Sequence, residues 1–122
     1  MTVNELITLS SDDISNFEIH VGNFLDEFYR RDKKEKAAMV AKPPNKKLPA
    51  KQMAFLAATV EKLCNDSGIS PPKWVFEKQY FLEEPYFALD AQGMLRVILL
   101  LESPNEFLVR NIFISNNALS RV

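Results

Sequence analysis

Pro72-Lys73-Trp74, Tyr80-Phe81-Leu82, Pro85-Tyr86-Phe87, Ser103-Pro104-Asn105-Glu106-Phe107 and Arg110-Asn111-Ile112-Phe113 punctuate the stretch from Pro71 to Val122. Aromatic groups alternate there with proline-marked turns. Aromatic rings bury a large area each and proline fixes where the chain bends, so the pattern specifies a packed core. It carries no recognisable catalytic constellation.

Ser70-Pro71 restarts the chain with a capping serine and a proline tolerated in a first turn, which predicts a short helix from Pro72 to about Lys78. Tyr80 to Leu89 has no clean period. The run Met94, Leu95, Val97 to Leu101 is too uniformly apolar to expose either face. Its Leu and Met content favours a buried helix, with a central strand as the alternative that periodicity leaves open. Ser103-Pro104-Asn105-Glu106 has the form of a capping box with proline at the first helical position, so a helix should carry Phe107 and Leu108. Ile112-Phe113-Ile114 is a short β-prone segment.

Towards the N-terminus, Met53, Leu56, Ala57, Val60, Leu63 and Cys64 share one face of a second helix from about Ala50 to Asp66, with Gly68 as its C-cap. Before it lies Lys42-Pro43-Pro44-Asn45-Lys46-Lys47-Leu48-Pro49, a basic loop where proline removes donors and disfavours helix. Earlier still, Ile14, Phe17, Val21, Phe24, Leu25 and Phe28 recur at helical spacing behind Ser15-x-x-Glu18, another capping-box pattern. These residues predict a first helix over about 12–35, its stripe facing that of the second.

A chain of 122 residues, 47% hydrophobic and 25% charged, has the balance of one globular domain. The net charge of −1 argues against nucleic-acid or membrane-surface binding by the domain as a whole. That average conceals an asymmetry. Arg30 to Lys51 holds nine Lys/Arg against Asp32 and Glu35, about +7, and leaves about −8 for the remainder. Cys64 is the single cysteine, which excludes an intrachain disulfide and points to a reducing cytoplasm. No secretory signal opens the chain, and Val97 to Leu101 is too short to span a bilayer.

One histidine and one cysteine far apart in sequence do not make a metal site. His20 falls about 40° beyond Phe24 on a helical wheel, a boundary position. Cys64 continues an apolar face and reads as a packed thiol. Asp12-Asp13, Asp26-Glu27 and Glu83-Glu84 are adjacent acids whose side chains do not converge on a helix. Three glycines, none in a Gly-rich loop, exclude the usual phosphate-binding fingerprints, and no cofactor is expected. These readings weigh against an enzyme.

The basic segment suits an acidic protein partner, whose complementary charge would speed and orient association. Phosphate contact is a second reading, weakened by sparse aromatics, and a plain solvated loop is a third. Leu63-Cys64-Asn65-Asp66-Ser67-Gly68-Ile69-Ser70 also has the look of a helix-turn-helix, so residues 56–78 with the basic segment 30–51 form an alternative DNA-binding reading. Its second helix would open Pro71-Pro72-Lys73-Trp74, which leaves little to read base edges.

Pro72-x-Trp74, Leu82 with Pro85-Tyr86-Phe87, Leu95-Arg96, Ser103-Pro104-x-x-Phe107, Arg110-Asn111-Ile112-Phe113 and Leu119-Ser120-Arg121 together resemble a poorly characterised bacterial module covering roughly Pro49 to Val122. The resemblance implies an antitoxin-like regulator, of a kind sometimes fused behind a helix-turn-helix domain and found beside nucleotidyltransferase-like proteins. The sequence departs from the fused form, whose separate DNA-binding domain it is expected to lack, and no catalytic role attaches to the module's residues. Arg110 and Asn111, polar between apolar pairs, suit hydrogen bonds to backbone carbonyls or Glu side chains that anchor the tail. Alternatively Arg96, Arg110 and Arg121 face a partner.

The sequence therefore predicts a mainly α, compact bundle of four to five helices with one short β-hairpin or strand near the C-terminus. Residues 1–122 form a single domain: a helix over about 12–35, a basic Pro-rich loop over about 36–49, and a second helix with the C-terminal module over about 50–122. The expected function is a non-enzymatic, cytoplasmic protein-interaction module of antitoxin-like type, with the DNA-binding regulator and an enzyme using dispersed acidic residues as the alternatives. Its partner-binding candidates are Arg30, Arg31, Lys33, Lys34, Lys46, Lys47, Trp74, Tyr86, Phe87, Arg96 and Arg110. A nucleotidyltransferase-like protein is the partner that the resemblance suggests.

Overall fold

The computed structural model describes residues 1–87, 103–114 and 119. Among these the fold is mainly α, with five α-helices and a two-stranded sheet. Thr2 starts the first helix, α1 (Val3–Asp12), through a reciprocal capping box: its Oγ1 accepts from the Glu5 N–H at 3.2 Å, and the Glu5 carboxylate accepts from the Thr2 N–H at 3.3 Å. Val3, Leu6, Ile7 and Ser10 form the buried face of α1.

The single helix expected over 12–35 is three pieces. Ile14–Asn16 is a 3₁₀ turn, α2 spans Phe17–Arg30 and α3 spans Lys33–Val40. The first interruption has a local cause. Asp13 accepts hydrogen bonds from Ser15 Oγ at 3.1 Å and Asn16 Nδ2 at 2.6 Å, so Ser15 is held in a turn and does not cap a helix. Ile14 is thereby left 41% exposed instead of joining the stripe. At the second interruption Arg31 is extended, and Asp32 caps α3 by accepting from the Glu35 N–H at 2.8 Å. Lys33 and Lys34 thus open a new helix rather than completing the last turn of an old one, and residues 36–40 of the expected loop are helical.

α4 (Ala50–Asp66) matches its expected range and buries all six predicted stripe residues. It ends as the sequence predicts. Gly68 is left-handed at φ 70°, the Ile69 N–H donates to Cys64 O at 2.8 Å, and the Gly68 N–H donates to Asn65 O at 3.3 Å. This is a Schellman closure, in which glycine carries the conformation at no Cβ penalty. α2 and α4 touch through Phe17 and Phe55, edge-to-face at 6.1 Å, although Phe55 lies outside the predicted stripe of α4.

α4 is the central element. Two 3₁₀ turns, Lys73–Phe76 and Lys78–Tyr80, and α5 (Asn105–Leu108) pack against it. The expected helix from Pro72 to Lys78 is the first of these turns, shortened because the Glu77 backbone is extended. Ser103 does not cap α5. Pro104 takes that position, while Ser103 Oγ accepts from the Ile114 N–H at 2.8 Å and donates to Ile114 O at 2.9 Å. The expected C-terminal strand is β2 (Ile112–Phe113), which pairs in parallel with β1 (Tyr86–Phe87), Tyr86 opposite Ile112 and Phe87 opposite Phe113. The apolar run 94–101, along with Arg96 and Arg121, lies outside the described residues.

Candidate functional site

Arg110 shapes the C-terminal block from within. It is completely buried, two residues past α5, and its guanidinium reaches three acceptors. Nη1 donates to Glu61 Oε1 at 2.6 Å and to Glu106 O at 2.7 Å, and Nη2 donates to Val75 O at 2.7 Å. The Phe81 ring lies 4.7 Å from the guanidinium carbon, in cation–π range. Charge-assisted bonds of this kind compensate a buried cation for lost hydration. Arg110 therefore welds α4, the first 3₁₀ turn and α5, which is the anchoring role its sequence position suggested. None of its side chain is exposed, in contrast to the alternative expectation that it faces outwards.

Trp74 is likewise a core group. Its Nε1 donates to Val40 O at 2.9 Å, tying the end of α3 to the C-terminal block, and Tyr80 packs edge-to-face against it at 5.8 Å. Burial there raises the Tyr80 phenol above its ordinary value, with the charge of Glu77 adding to the effect. Phe87 is half-buried and stacks on Phe113 at 4.6 Å. Cys64 is buried, and desolvation, reinforced by Glu61, pushes its thiol up to about 11, so it stays protonated and packed. His20 is half-buried at the edge of α2, where the wheel places it. The segment after Gly68, where a recognition helix would lie, is a 3₁₀ turn of four residues that buries Trp74 and Val75.

The basic segment is structured rather than loosely solvated. Asn4 of α1 clasps the loop from both sides: its Nδ2 donates to Pro43 O at 3.2 Å and its Oδ1 accepts from the Asn45 N–H at 2.9 Å. Leu48 is buried beneath the loop. Arg30, Lys34, Lys42, Lys46 and Lys47 are exposed and form no ion pair among the described residues. Arg31 is different, because Glu27 at 3.1 Å and Glu35 at 3.4 Å flank it. Lys33 approaches the C-terminal end of α4, its Nζ 3.2 Å from where a Cβ on Gly68 would stand. A cation there complements the helix dipole.

Tyr86, another of the C-terminal aromatic candidates, borders a groove. This depression, about 170 Å³, lies where the turn before α2, the first turns of α4 and β1 come together. Ile14, Phe17, Phe55 and Tyr86 give it apolar walls, and Glu18 and Lys51 place opposite charges on its lining. Lys51 Nζ stands 5.1 Å from the Tyr86 ring centre. The Ile14 wall is held by the Asp13 turn, where hydrogen bonds from Asn16 and then Ser15 keep the Asp13 carboxyl below its ordinary value. By sequence Ile14 and Phe17 belong to a core stripe, Lys51 ends the basic segment, and Phe55 is not among the candidate site residues. Nothing in the local pattern unites residues so far apart in the chain.

Among the described residues no His, Cys, Asp and Glu side chains gather into a metal-binding group, and no helix is long and apolar enough to cross a membrane. No protein-family model, curated protein or solved structure matches the chain.

Proposed function

We propose that this protein is a non-enzymatic interaction module that binds an acidic region of another protein, in the manner of an antitoxin-like regulatory subunit. The observation that carries this reading is the set of five exposed cations, Arg30, Lys34, Lys42, Lys46 and Lys47, with no carboxylate paired to them among the described residues. A loop held by Asn4 at Pro43 and Asn45 loses less conformational freedom on binding than a free one, which helps to pre-position Lys42, Lys46 and Lys47 for a complementary surface. The resemblance of the C-terminal block to antitoxin-like modules adds the expectation of a bacterial partner, with a nucleotidyltransferase-like protein as its candidate. A DNA-binding reading is less favoured, because the turn after Gly68 offers buried Trp74 and Val75 where base-reading groups are needed.

The test is co-purification from the native organism at moderate salt with wild-type chain and with a Lys34→Glu/Lys46→Glu/Lys47→Glu variant. A stoichiometric protein partner retained by the wild type and lost by the variant supports the reading. Return of no partner, together with turnover of a metabolite by the purified chain, refutes it.

A further inference from the structure

We infer that the groove between Ile14, Phe55 and Tyr86 is a peptide-anchor site, which takes one aromatic or large aliphatic side chain from a short acidic segment of a partner protein. The inference rests on the interaction reading above and assigns it a specific contact. Size is the first argument. A groove of about 170 Å³ is smaller than the roughly 300–1,000 Å³ of sites that enclose a small-molecule ligand, yet it accommodates one bulky side chain entering from a chain that stays outside. Such buried anchors, set in an apolar pocket with a polar rim, dominate the energetics of many protein interfaces.

Charge is the second argument, and it gives the ligand a direction. Lys51 stands at the groove on the first turn of α4, and Lys46 and Lys47 lie immediately before that helix, both exposed. The groove is thus continuous with the end of the basic segment. Glu18 also lines the groove, from the first turn of α2. Carboxylates flanking the anchor are attracted towards Lys46, Lys47 and Lys51 and repelled from Glu18, so the acidic flank should run along the start of α4.

The Ile14 wall is rigid for a definite reason: Asp13 fixes the turn through Ser15 and Asn16. Asp13 is therefore a positioning residue for the site. It need not touch the peptide.

The experiment is an NMR titration of the uniformly labelled full chain with the blocked peptide Ac-Glu-Asp-Phe-Asp-Glu-amide. Its controls replace the central Phe by Ala or every acid by Lys. Saturable shifts at Ile14, Phe55 and Tyr86 are expected with the first peptide, weakened about tenfold or more by the loss of Phe. Lys51→Glu should weaken binding about threefold to tenfold, and Glu18→Lys should strengthen it by about threefold, the scale of exposed charge pairs. Both positions are at the surface, and each variant's own spectrum reports whether it is folded. Equal binding of the all-Lys peptide, or a Glu18→Lys variant that binds more weakly, overturns the inference. Shifts confined to Lys34, Lys46 and Lys47 overturn the groove while leaving the acidic-partner reading intact, whereas no shift anywhere removes the support for both.

Discussion

Replacing Arg110 by methionine keeps most of the side-chain volume and deletes the charge, so it isolates the polar part of the weld. Three acceptors lose their donor: Glu61 Oε1 and the carbonyls of Glu106 and Val75. Removing one member of a buried pair ordinarily destabilises by about 3–5 kcal/mol, because the other charge is left uncompensated. Glu61 is 16% exposed and regains some hydration when freed, which places the expected loss near the lower end, about 3 kcal/mol. Against a domain stability of about 5–15 kcal/mol that is a large fraction. With a urea slope of about 1.5 kcal/mol per molar, the unfolding midpoint should fall by about 2 M. The companion variant Glu61→Met should be destabilised too, whereas Arg110→Met/Glu61→Met should recover part of the loss, since neither charge then remains buried alone. A drop below about 1 kcal/mol for Arg110→Met, or additive losses in the double variant, would refute the assignment of Arg110 as a compensated core cation.

Gly68→Ala forces a Cβ into a left-handed position that also meets Lys33 Nζ at 3.2 Å; a loss of about 1–2 kcal/mol is expected in the same urea assay. Ser103→Ala strips the buried Ile114 N–H of its acceptor and should cost about 1–3 kcal/mol, with faster amide exchange at Ile114 as its local signature. Glu27 is held below its ordinary value of 4.5 by the N-terminal amine first and by Arg31 second. Its contribution to stability is therefore fully present above about pH 4.5 and is lost as pH falls through the lowered folded value. Urea midpoints measured from neutral to acid pH should drop less steeply for Glu27→Gln than for the wild type.

α4 was legible in the sequence because its apolar period runs unbroken from Met53 to Cys64 and stops at a glycine suited to a left-handed cap. The N-terminal third was less legible for reasons equally local. Thr2-x-x-Glu5 marks α1, but its apolar face is only Val3, Leu6 and Ile7, too short for periodicity to announce. Ser15-x-x-Glu18 matched a capping box, and Asp13 outcompeted it for Ser15. Between Arg30 and Lys33 no proline or glycine signals a break, and only the Asp32 side chain makes one. Arg110 was recognised as an anchor from its setting between apolar pairs, although its partners Glu61 and Val75 lie 49 and 35 positions away and no local rule finds them. The groove was hidden for the same reason: its walls come from three separated segments.

The Arg110 weld also bears on how the chain is made. α4 emerges from the ribosome long before the residues that cover it, since the segment from Leu63 to Phe113 takes roughly 2–10 s at ordinary rates of synthesis. Through that interval Phe55 and the carboxylate of Glu61 await Phe107 and Arg110, which arrive together within a single helical turn. Closure of the domain is thus a late, concerted event in its biogenesis. A nascent chain stalled before residue 107 presents an uncovered α4, the kind of sticky surface that chaperones hold.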